Sequence, residues 1–321
     1  MKRYLTALIA FMAIVFVMGG CGKPKEDDTA VRVGSLKGPT SIGLVKLIHD
    51  QAGSNYSFTM ETQADVLISA VASGDIDIAL IPANVASVLY KKTNGGVSVT
   101  DINTLGVLYM VSGDEGIKSF ADLEGRTVYT TGAGSTPEYV LRYLLEANGL
   151  TDKVTVEFKS EATEVAATLA ADPSAVGMLP QPFVTAALSQ NEQLKIVLDM
   201  TKEWDALGNG SQLLTGVTIV RKQFLEEHPQ AVAKFTADHA DSVNFVNSDT
   251  KTAAQYTADA GIIEKAPVAE KAIPFCNIVC LSGNDMKAAL SGYLQVLYDQ
   301  DPASVGGALP GDDFYSIIEI K

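Results

Sequence analysis

The chain has 321 residues, of which 47% are hydrophobic, so it is long enough and apolar enough to bury the cores of two domains. Its formal net charge of -14 argues against nucleic acid as a partner, because nucleic-acid-binding chains present basic surfaces. The same balance keeps the chain soluble, and it means that an anionic ligand must be held by local dipoles rather than by a general basic field.

Residues 1–30 predict an export signal followed by a tether. Met1-Lys-Arg supplies a positive start, Leu5 to Met18 an apolar run of about 14 residues, and Gly19-Gly20-Cys21 a small-residue end. The run is shorter than the roughly 20 residues of a membrane-spanning helix. Its end resembles a bacterial lipoprotein signal, in which the cysteine becomes the first residue and carries lipid. We therefore expect a signal peptide at 1–20, a tether at 21–30 lipidated on Cys21, and anchorage to the outer face of the cell membrane; an uncleaved anchor is the alternative.

A strand, a polar loop and a helix follow one another between Val31 and Gly53. The segment VRVGSLKGPTSIGLVKLIHDQAG begins with alternating apolar residues, clusters glycine, proline and hydroxyl residues, and then repeats apolar residues at helical spacing. Thr40 or Ser41 can cap the helix, and the amides of its first turn offer unpaired donors to a small electron-rich group. An ordinary capped helix without a ligand is the alternative.

The same order recurs between Arg126 and Gly149. The segment RTVYTTGAGSTPEYVLRYLLEANG contains a short strand, a glycine-rich loop and a helix beginning at Pro137. Each copy is followed by a strand, an alanine-rich helix, a strand ending in proline and a further helix. The middle strands are predicted at Tyr56–Thr62 and Val154–Lys159, and the third strands end at Pro82 and Pro180. Two units of matching order indicate two lobes of one architecture.

The chain is expected to pass between the lobes twice. Ile102 to Ser112 predicts one core strand, after which the chain crosses near 113–118. Leu194 to Met200 predicts another strand, Thr201 to Gln212 a polar loop, and the return crossing lies near 210–215. These boundaries assign 31–113 and 213–321 to lobe 1 and 114–212 to lobe 2. Two adjacent crossings form a hinge, and a hinge permits closure around a ligand.

The binding site is predicted at the carboxyl ends of the strands, where the loops of open α/β sheets converge. The candidate ligand-binding residues there are mainly neutral donors and acceptors: Gly38, Thr40, Ser41 and Asn84 from lobe 1, and Gly134, Ser135, Thr136 and Gln181 from lobe 2. Ser135 and Glu138 also fit a capping box, in which Glu138 would occupy an amide that a ligand needs. Whether Ser135 is structural or binds ligand is left open by the sequence.

Three further side chains are weighed for the same site. Trp204, the only tryptophan, lies in the predicted polar loop, so its ring can stack on a planar ligand or pack against its own lobe. Phe183 is expected in the core at the start of a helix. Lys37 is the cation inside the first loop; it can pair with a sulfonate or carboxylate, or remain a solvated surface lysine.

The remaining cysteines and the histidines predict neither a disulfide nor a metal site. If the segment between Cys276 and Cys280 is extended, their Cα atoms lie about 13 Å apart, too far for a disulfide. Free and mostly buried thiols are therefore expected. His49, His228 and His239 form no cluster with ligand spacing, so no metal and no cofactor is predicted.

The whole arrangement resembles the solute-binding proteins of ABC importers, in the group that includes binders of sulfonates, taurine, nitrate and thiamine precursors. The resemblance covers roughly Val31 to Tyr315 and rests on five segments: GPTSIG, SGDIDIALIPAN, KSFADLEGRTV, GAGSTPEYVLRYLLEANGL and SGYLQVLYDQDPASVGGALPGDDFY. It implies an α/β, two-lobed, type II periplasmic-binding-protein-like fold, in which each lobe is a mixed sheet flanked by helices and two crossovers form the hinge. It also implies a monomer that captures a small polar or anionic organic solute (sulfonate, carboxylate or pyrimidine-like) and delivers it to ABC permease subunits.

Two other functional classes remain as alternatives. A ligand-sensing lipoprotein that signals to a membrane partner would have the same two lobes. An enzyme is disfavoured, because the sequence contains no HExxH, GxSxG or P-loop motif, and the second glycine loop lacks the third glycine of a dinucleotide fingerprint. The related thiamine-precursor synthases use a cysteine-rich iron motif that this chain lacks.

Overall fold

The computed structural model describes residues 29–318, so the predicted signal peptide and the lipidation site Cys21 lie outside the described residues. Two sheets organise this part of the chain. The strands are β1 (Val31–Leu36), β2 (Tyr56–Glu61), β3 (Ile78–Pro82), β4 (Val97–Leu105), β5 (Leu108–Ser112), β6 (Thr127–Thr130), β7 (Thr155–Phe158), β8 (Val176–Pro180), β9 (Lys195–Asp199), β10 (Leu214–Arg221) and β11 (Ile278–Ser282). The six-stranded sheet has the order β11-β4-β10-β3-β1-β2, and the five-stranded sheet has the order β7-β6-β8-β5-β9. We call the two sheets, with the helices packed on them, the first and the second lobe.

Helices cover both sheets. They are α1 (Pro39–Ile42), α2 (Val45–His49), α3 (Ala64–Ser73), α4 (Ala83–Lys92), α5 (Thr136–Ala147), α6 (Ala162–Ala171), α7 (Phe183–Gln190), α8 (Met200–Ala206), α9 (Lys222–Glu227), α10 (Pro229–Ser248), α11 (Thr250–Asp259), α12 (Ala266–Ala272) and α13 (Gly283–Gln300). Short 3-10 helices lie at Phe120–Leu123, Ile273–Phe275, Pro302–Val305 and Asp312–Phe314. Within residues 29–318, no helix has both the length and the apolar character needed to cross a membrane.

The two predicted repeat units have the same topology. β1 pairs in parallel with β2 and β3, and β6 pairs in parallel with β7 and β8. An antiparallel strand from elsewhere in the chain then joins each set: β10 beside β3, and β5 beside β8. Each sheet is therefore mixed, because one strand from outside the parallel unit joins it: β10 follows the first unit in the chain, and β5 precedes the second. The predicted fold class is confirmed.

The first crossing was predicted in the wrong place. Residues 102–112 form the end of β4 and the whole of β5, which lie in different sheets, so the chain crosses at Gly106 and Val107 rather than near 113–118. A Cβ on Gly106 would overlap Thr201 Oγ1, so this is a close approach that a larger residue would disturb. The sequence does not reveal where β4 ends and β5 begins. Both strands are buried, so together they read as one continuous apolar run. The second crossing, between Ala206 and Leu214, overlaps its predicted position near 210–215.

Three local predictions also differ from the structure. The first helix is split into α1 and α2, and its N-cap is Gly38 followed by Pro39, not Thr40 or Ser41. The predicted polar loop after β9 is helix α8, because the Asp199 carboxylate accepts hydrogen bonds from the amides of Thr201 and Lys202. Helix α12 was not predicted. It packs against α7 of the second lobe, while α13 packs against α5, so the C-terminal helices contact both lobes.

Candidate functional site

A cavity of about 790 Å³ lies between the two lobes. The walls come from the carboxyl ends of the three parallel strands of each lobe, together with the helix starts that follow them. The first lobe contributes Leu36, Lys37, Pro39, Thr40, Thr62, Gln63, Ala64, Asp65, Ile68, Pro82, Val85, Val88 and Lys92; the second contributes Leu108, Thr131 to Pro137, Phe158 to Thr163, Pro180 and Phe183; and Thr215 follows the return crossing. This is the region in which the sequence predicted a site, since ligands of open α/β sheets bind beyond the strand ends.

Four of the predicted ligand-binding residues line the cavity. They are Thr40 from the first lobe and Gly134, Ser135 and Thr136 from the second. Lys37 and Phe183 line it as well, and Phe183 is also part of the apolar core as predicted. Their positions place them where a ligand can reach them, and the binding role itself stays a prediction.

Gly38 and Ser41 hold the first loop together instead of lining the cavity. Gly38 has a φ of 142°, a conformation that favours glycine, and a Cβ there would lie 3.7 Å from the Phe183 ring of the other lobe. The buried Ser41 hydroxyl lies 2.7 Å from Ser35 Oγ and 2.5 Å from the Leu36 carbonyl oxygen. Thr40 donates to the same carbonyl at 3.0 Å, so its hydroxyl oxygen can still accept a hydrogen bond, and the residue lines the cavity.

Asn84 joins the lobes and does not face the cavity. It is fully buried, and its side-chain amide donates to the carbonyl oxygens of Gly134 at 3.3 Å and Ser304 at 3.1 Å. Its own carbonyl oxygen lies 3.4 Å from the Thr136 hydroxyl, which can donate to it. The prediction that Asn84 contacts a ligand is therefore wrong in its geometry, because the amide is already used between the lobes.

Gln181 is also occupied within the protein. Its side-chain carbonyl accepts hydrogen bonds from the amide of Thr185 at 3.2 Å and from the Thr185 hydroxyl at 2.9 Å. The residue is buried at the start of α7 and is not among the cavity-lining side chains. The prediction that Gln181 contacts a ligand is therefore not supported by the geometry. Its side chain instead caps α7 by accepting the Thr185 amide, which has no partner within the helix.

Trp204 does not stack in the cleft. Helix α8 turns its indole fully inward, where the ring centroid lies 4.8 Å from that of Tyr143 and 5.6 Å from that of Tyr293. Its N–H donates to Ser211 Oγ at 3.1 Å. The packing alternative is the correct one, although the partners include Tyr293 of α13 as well as Tyr143 of the second lobe.

The second glycine loop resolves the conflict between Ser135 and Glu138. The Ser135 hydroxyl donates to the Gly132 carbonyl at 2.8 Å and does not cap α5. The Glu138 carboxylate nevertheless accepts the amide of Gly134 at 2.7 Å and is held by Arg142 at 2.6 Å. Within residues 29–318, the amides of Ala133 and Thr136 have no hydrogen-bond partner. Glu138 therefore uses one loop amide and leaves other amides of this loop for another acceptor.

The sequence predicted the middle strand of each unit but did not assign the end of that strand to the site. The loop after β2 supplies Thr62 and Gln63, and the end of β7 together with the loop after it supplies Phe158, Lys159 and Ser160. The Gln63 side-chain amide lies 3.5 Å from the Ser160 carbonyl oxygen, so these loops meet at the mouth of the cavity. These residues could have been predicted. A site at the carboxyl ends of parallel strands includes the end of β2 as well as the ends of β1 and β3.

The cavity carries more positive charge than the protein around it. Lys37, Lys92 and Lys159 line it, against Asp65 and Glu161. A hydrogen bond from Lys159 to Glu157, at 2.9 Å, raises the pKa of Lys159. Neither Lys37 nor Lys92 has an ion pair in the described part of the chain. In a chain with a net charge of -14, these two lysines are a local exception at the cavity.

One buried hydroxyl at the cavity has no partner. Thr215 Oγ1 is buried and makes no hydrogen bond to any described residue. Leaving such a group unsatisfied costs about 1–3 kcal/mol, so a ligand that bonds to it gains that interaction. The site thus offers free amides, hydroxyls and lysines around an apolar floor that includes Phe158 and Phe183.

Comparison with known proteins gives one family match and several likenesses of fold. The model of the family described as "NMT1/THI5 like" matches residues 60–253. The crystal structure of an ABC transporter from Parabacteroides distasonis has a TM-score of 0.76 and 22% identity, over 91% of this chain and all of that one. The periplasmic aliphatic sulphonate binding protein SsuA from Escherichia coli has a TM-score of 0.70 and 15% identity, over 89% of this chain and 96% of its own.

A third solved structure has a similar likeness. The alkanesulfonate-binding protein SsuA from Xanthomonas axonopodis pv. citri, bound to MOPS, has a TM-score of 0.68 and 15% identity, over 88% of this chain and 94% of its own. These likenesses cover both lobes and show a periplasmic-binding-protein-like fold.

Proposed function

The chain belongs to the NMT1/THI5-like family, and we propose that it is a solute-binding protein that captures a small organic solute between its lobes for an ABC importer. One observation carries the proposal: a cavity of about 790 Å³ whose walls come from corresponding loops of both lobes. A ligand in that position contacts both halves at once. It therefore favours the closed arrangement by its differential affinity for the closed and open states.

The lining favours an organic anion with an apolar body. Lys37, Lys92 and the free amides of the second glycine loop suit a sulfonate or carboxylate group. The apolar side chains, Phe158 and Phe183 among them, suit the rest of such a molecule. A pyrimidine-like solute would use the same amides and the buried Thr215 hydroxyl, with little dependence on the lysines.

The cellular setting is part of the same proposal. We propose that residues 1–20 are removed as a signal peptide and that lipid on Cys21 anchors the protein outside the cell membrane. Residues 21–30 would then tether a monomer that presents its solute to the permease subunits of the importer. We assign no chemical step to the cavity. In the sensing alternative, the same site binds the solute, but the protein signals to a membrane partner. Retention of solute uptake after deletion of the gene would favour sensing.

A ligand screen tests the proposal directly. We expect at least one member of a panel of sulfonates, carboxylates and pyrimidines to raise the melting temperature of the purified protein, because binding to the folded state stabilises it by mass action. The same compound should reduce the radius of gyration in small-angle X-ray scattering as the lobes close. A tight ligand that leaves the dimensions unchanged contradicts capture by closure, and a panel with no stabilising compound contradicts the ligand class.

Neutralising the cavity lysines should weaken an anionic ligand. We expect Lys37→Gln and Lys92→Gln each to raise the Kd on the order of 10-fold, since a hydrogen bond to a charged group contributes about 1.5–3 kcal/mol. Titration calorimetry at two salt concentrations measures the effect. Lys202→Gln is the matched control, because it removes the same charge from a side chain that is 83% exposed outside the cavity. Equal affinities for all three variants would show that Lys37 and Lys92 do not contribute to ligand binding.

Removing Glu138 should have the opposite effect on affinity. Glu138→Ala frees the amide of Gly134 and deletes a negative charge beside the second glycine loop. We expect an anionic ligand to bind about 3-fold more tightly, while the protein loses about 1 kcal/mol of stability with the lost amide contact. Glu146→Ala, which removes an exposed acid from the same helix, should change neither quantity. A weaker ligand after Glu138→Ala would mean that the carboxylate positions the loop for binding.

A further inference from the structure

Three potential metal ligands meet in the first lobe, away from the cavity. They are Asp101 on β4, His239 on α10 and Cys280 on β11, and one ligand atom from each lies within 4.8 Å of the others. The pairing of β11 with β4 sets Ser282 opposite Asp101, and Cys280 follows on the same face because side chains two apart share a face of a strand. Helix α10 packs on this part of the sheet and brings His239 to it.

The cluster is poorly satisfied as it stands. Asp101 and His239 are both fully buried. The Asp101 carboxylate accepts hydrogen bonds from two neutral hydroxyls, Thr218 at 2.8 Å and Thr100 at 3.0 Å. His239 Nδ1 lies 3.5 Å from Asp101 Oδ1, and neither ring nitrogen has a hydrogen-bond partner among the described residues. A neutral imidazole always carries one N–H, so its burial without a partner is costly.

We propose that Asp101, His239 and Cys280 bind a divalent transition-metal ion, with zinc as the best match. The donor set of carboxylate, imidazole and thiolate suits zinc and excludes calcium and magnesium, which take oxygen ligands. Ligand atoms about 2.0–2.3 Å from a tetrahedral zinc ion lie roughly 3.3–3.8 Å apart. The 3.5 Å between Asp101 and His239 already fits, and the 4.8 Å limit for the set requires a shift of about 1 Å.

Charge and protons balance at this site. Without a metal ion, Cys280 is a free thiol. Metal binding forms the metal–sulfur bond and releases the thiol proton to solvent. The carboxylate and the thiolate then neutralise the two positive charges of the ion, which removes the penalty of a buried unpaired charge. The imidazole stays neutral and binds through a lone pair.

Three protein ligands leave the fourth position of a tetrahedral ion to a water or another donor, and the surroundings fit such a site. Ser242 follows His239 by three residues on α10, and its buried hydroxyl also has no hydrogen-bond partner in residues 29–318. A Cβ on Gly43 would lie 3.1 Å from His239 Nε2, so the chain passes close to the ring there. Cys280 is partly exposed on an edge strand, which gives an ion a route in. The ion would tie α10 to the edge of the sheet.

Cobalt and zinc binding by the purified full chain test the site. We expect equilibrium dialysis to retain about one zinc ion per chain and cobalt to give a near-ultraviolet thiolate-to-metal absorption band. Cys280→Ser should abolish that band, and both Cys280→Ser and His239→Gln should weaken zinc by at least 10-fold. Cys276→Ala, at the other free cysteine among residues 29–318, and His228→Gln, at another histidine, should bind as the unaltered chain does.

The competing outcomes are distinct. Zinc retained equally by the unaltered chain and Cys280→Ser would place the ion at surface groups and overturn the proposal, as would a cobalt complex without a thiolate band. Circular dichroism identifies a variant that fails to fold. Cys280→Ser then decides, because it replaces a partly exposed thiol by a group of similar size. Since no member of the cluster lines the cavity, failure here leaves the proposed solute binding untouched.

Discussion

Asp77→Ala should reduce the free energy of unfolding by about 3 kcal/mol, because it removes the acceptor shared by two arginines. The Asp77 side chain is 1% exposed. It accepts from Arg32 Nη2 at 2.7 Å, Arg32 Nε at 2.9 Å and Arg221 Nη2 at 2.8 Å, and it also accepts the Arg32 amide at 3.0 Å. Removing one partner of a buried ion pair costs about 3–5 kcal/mol. We take the lower end, because Arg32 is 46% exposed and can rehydrate.

The same carboxylate predicts how stability changes with pH. Burial alone would raise the pKa of Asp77, but the hydrogen bonds from Arg32 and Arg221 outweigh it and hold the pKa below its usual range. A group with a lowered pKa in the folded state contributes its stability above the unfolded pKa of about 3.9, and loses it as the pH falls through the folded value. The stability difference between the unaltered chain and Asp77→Asn should therefore shrink below about pH 4.

Urea denaturation at a series of pH values measures both effects. Asp75→Ala is the matched control, since it removes an exposed carboxylate two residues away, and we expect a change within about 0.5 kcal/mol. If Asp77→Ala were as stable as this control, the favourable energy of the ion pairs with Arg32 and Arg221 would only equal the cost of desolvating the charged groups. A pH-independent difference would locate the effect in packing and not in charge.

The lobes were predictable from the sequence because each repeat unit carries its own local signals. Alternating strands, glycine loops and helical spacing recur in the same order, and parallel pairing around β1 and β6 follows from that order. The crossing at Gly106 was not predictable in this way. Both of its flanking strands are buried, so an apolar run reads as one strand whichever sheet receives it.

The site was only partly predictable, for a different reason. The strand-end rule identifies an edge of the sheet, but it does not tell which side chains remain free once the protein has met its own hydrogen-bonding needs. Asn84 and Gln181 lie at that edge and are used internally, whereas Thr215 lies there with an unpartnered hydroxyl. The cluster of Asp101, His239 and Cys280 was harder still to predict from the sequence, because its members come from three segments that are far apart in the chain.

Trp204→Ala should be the most destabilising single change near the second crossing, with an expected loss of about 3–5 kcal/mol. The indole is fully buried between Tyr143 and Tyr293, and little of the volume that it leaves can be filled by these rings. The Tyr293 hydroxyl lies 3.4 Å from the Thr136 hydroxyl at the cavity wall, so the loss of packing reaches one ligand-facing residue. Unfolding followed by circular dichroism measures the loss, since no other tryptophan reports on folding.

Trp204→Phe separates the structural role from a binding role. It keeps an aromatic ring in the core and should cost roughly 1–2 kcal/mol while leaving the Kd of the screened ligand within about 3-fold. A ring that stacked on the ligand would give the opposite pattern, in which affinity falls at least 10-fold with little loss of stability. Because the indole N–H is bonded to Ser211 and both neighbours are aromatic, we expect stability to change and affinity to remain.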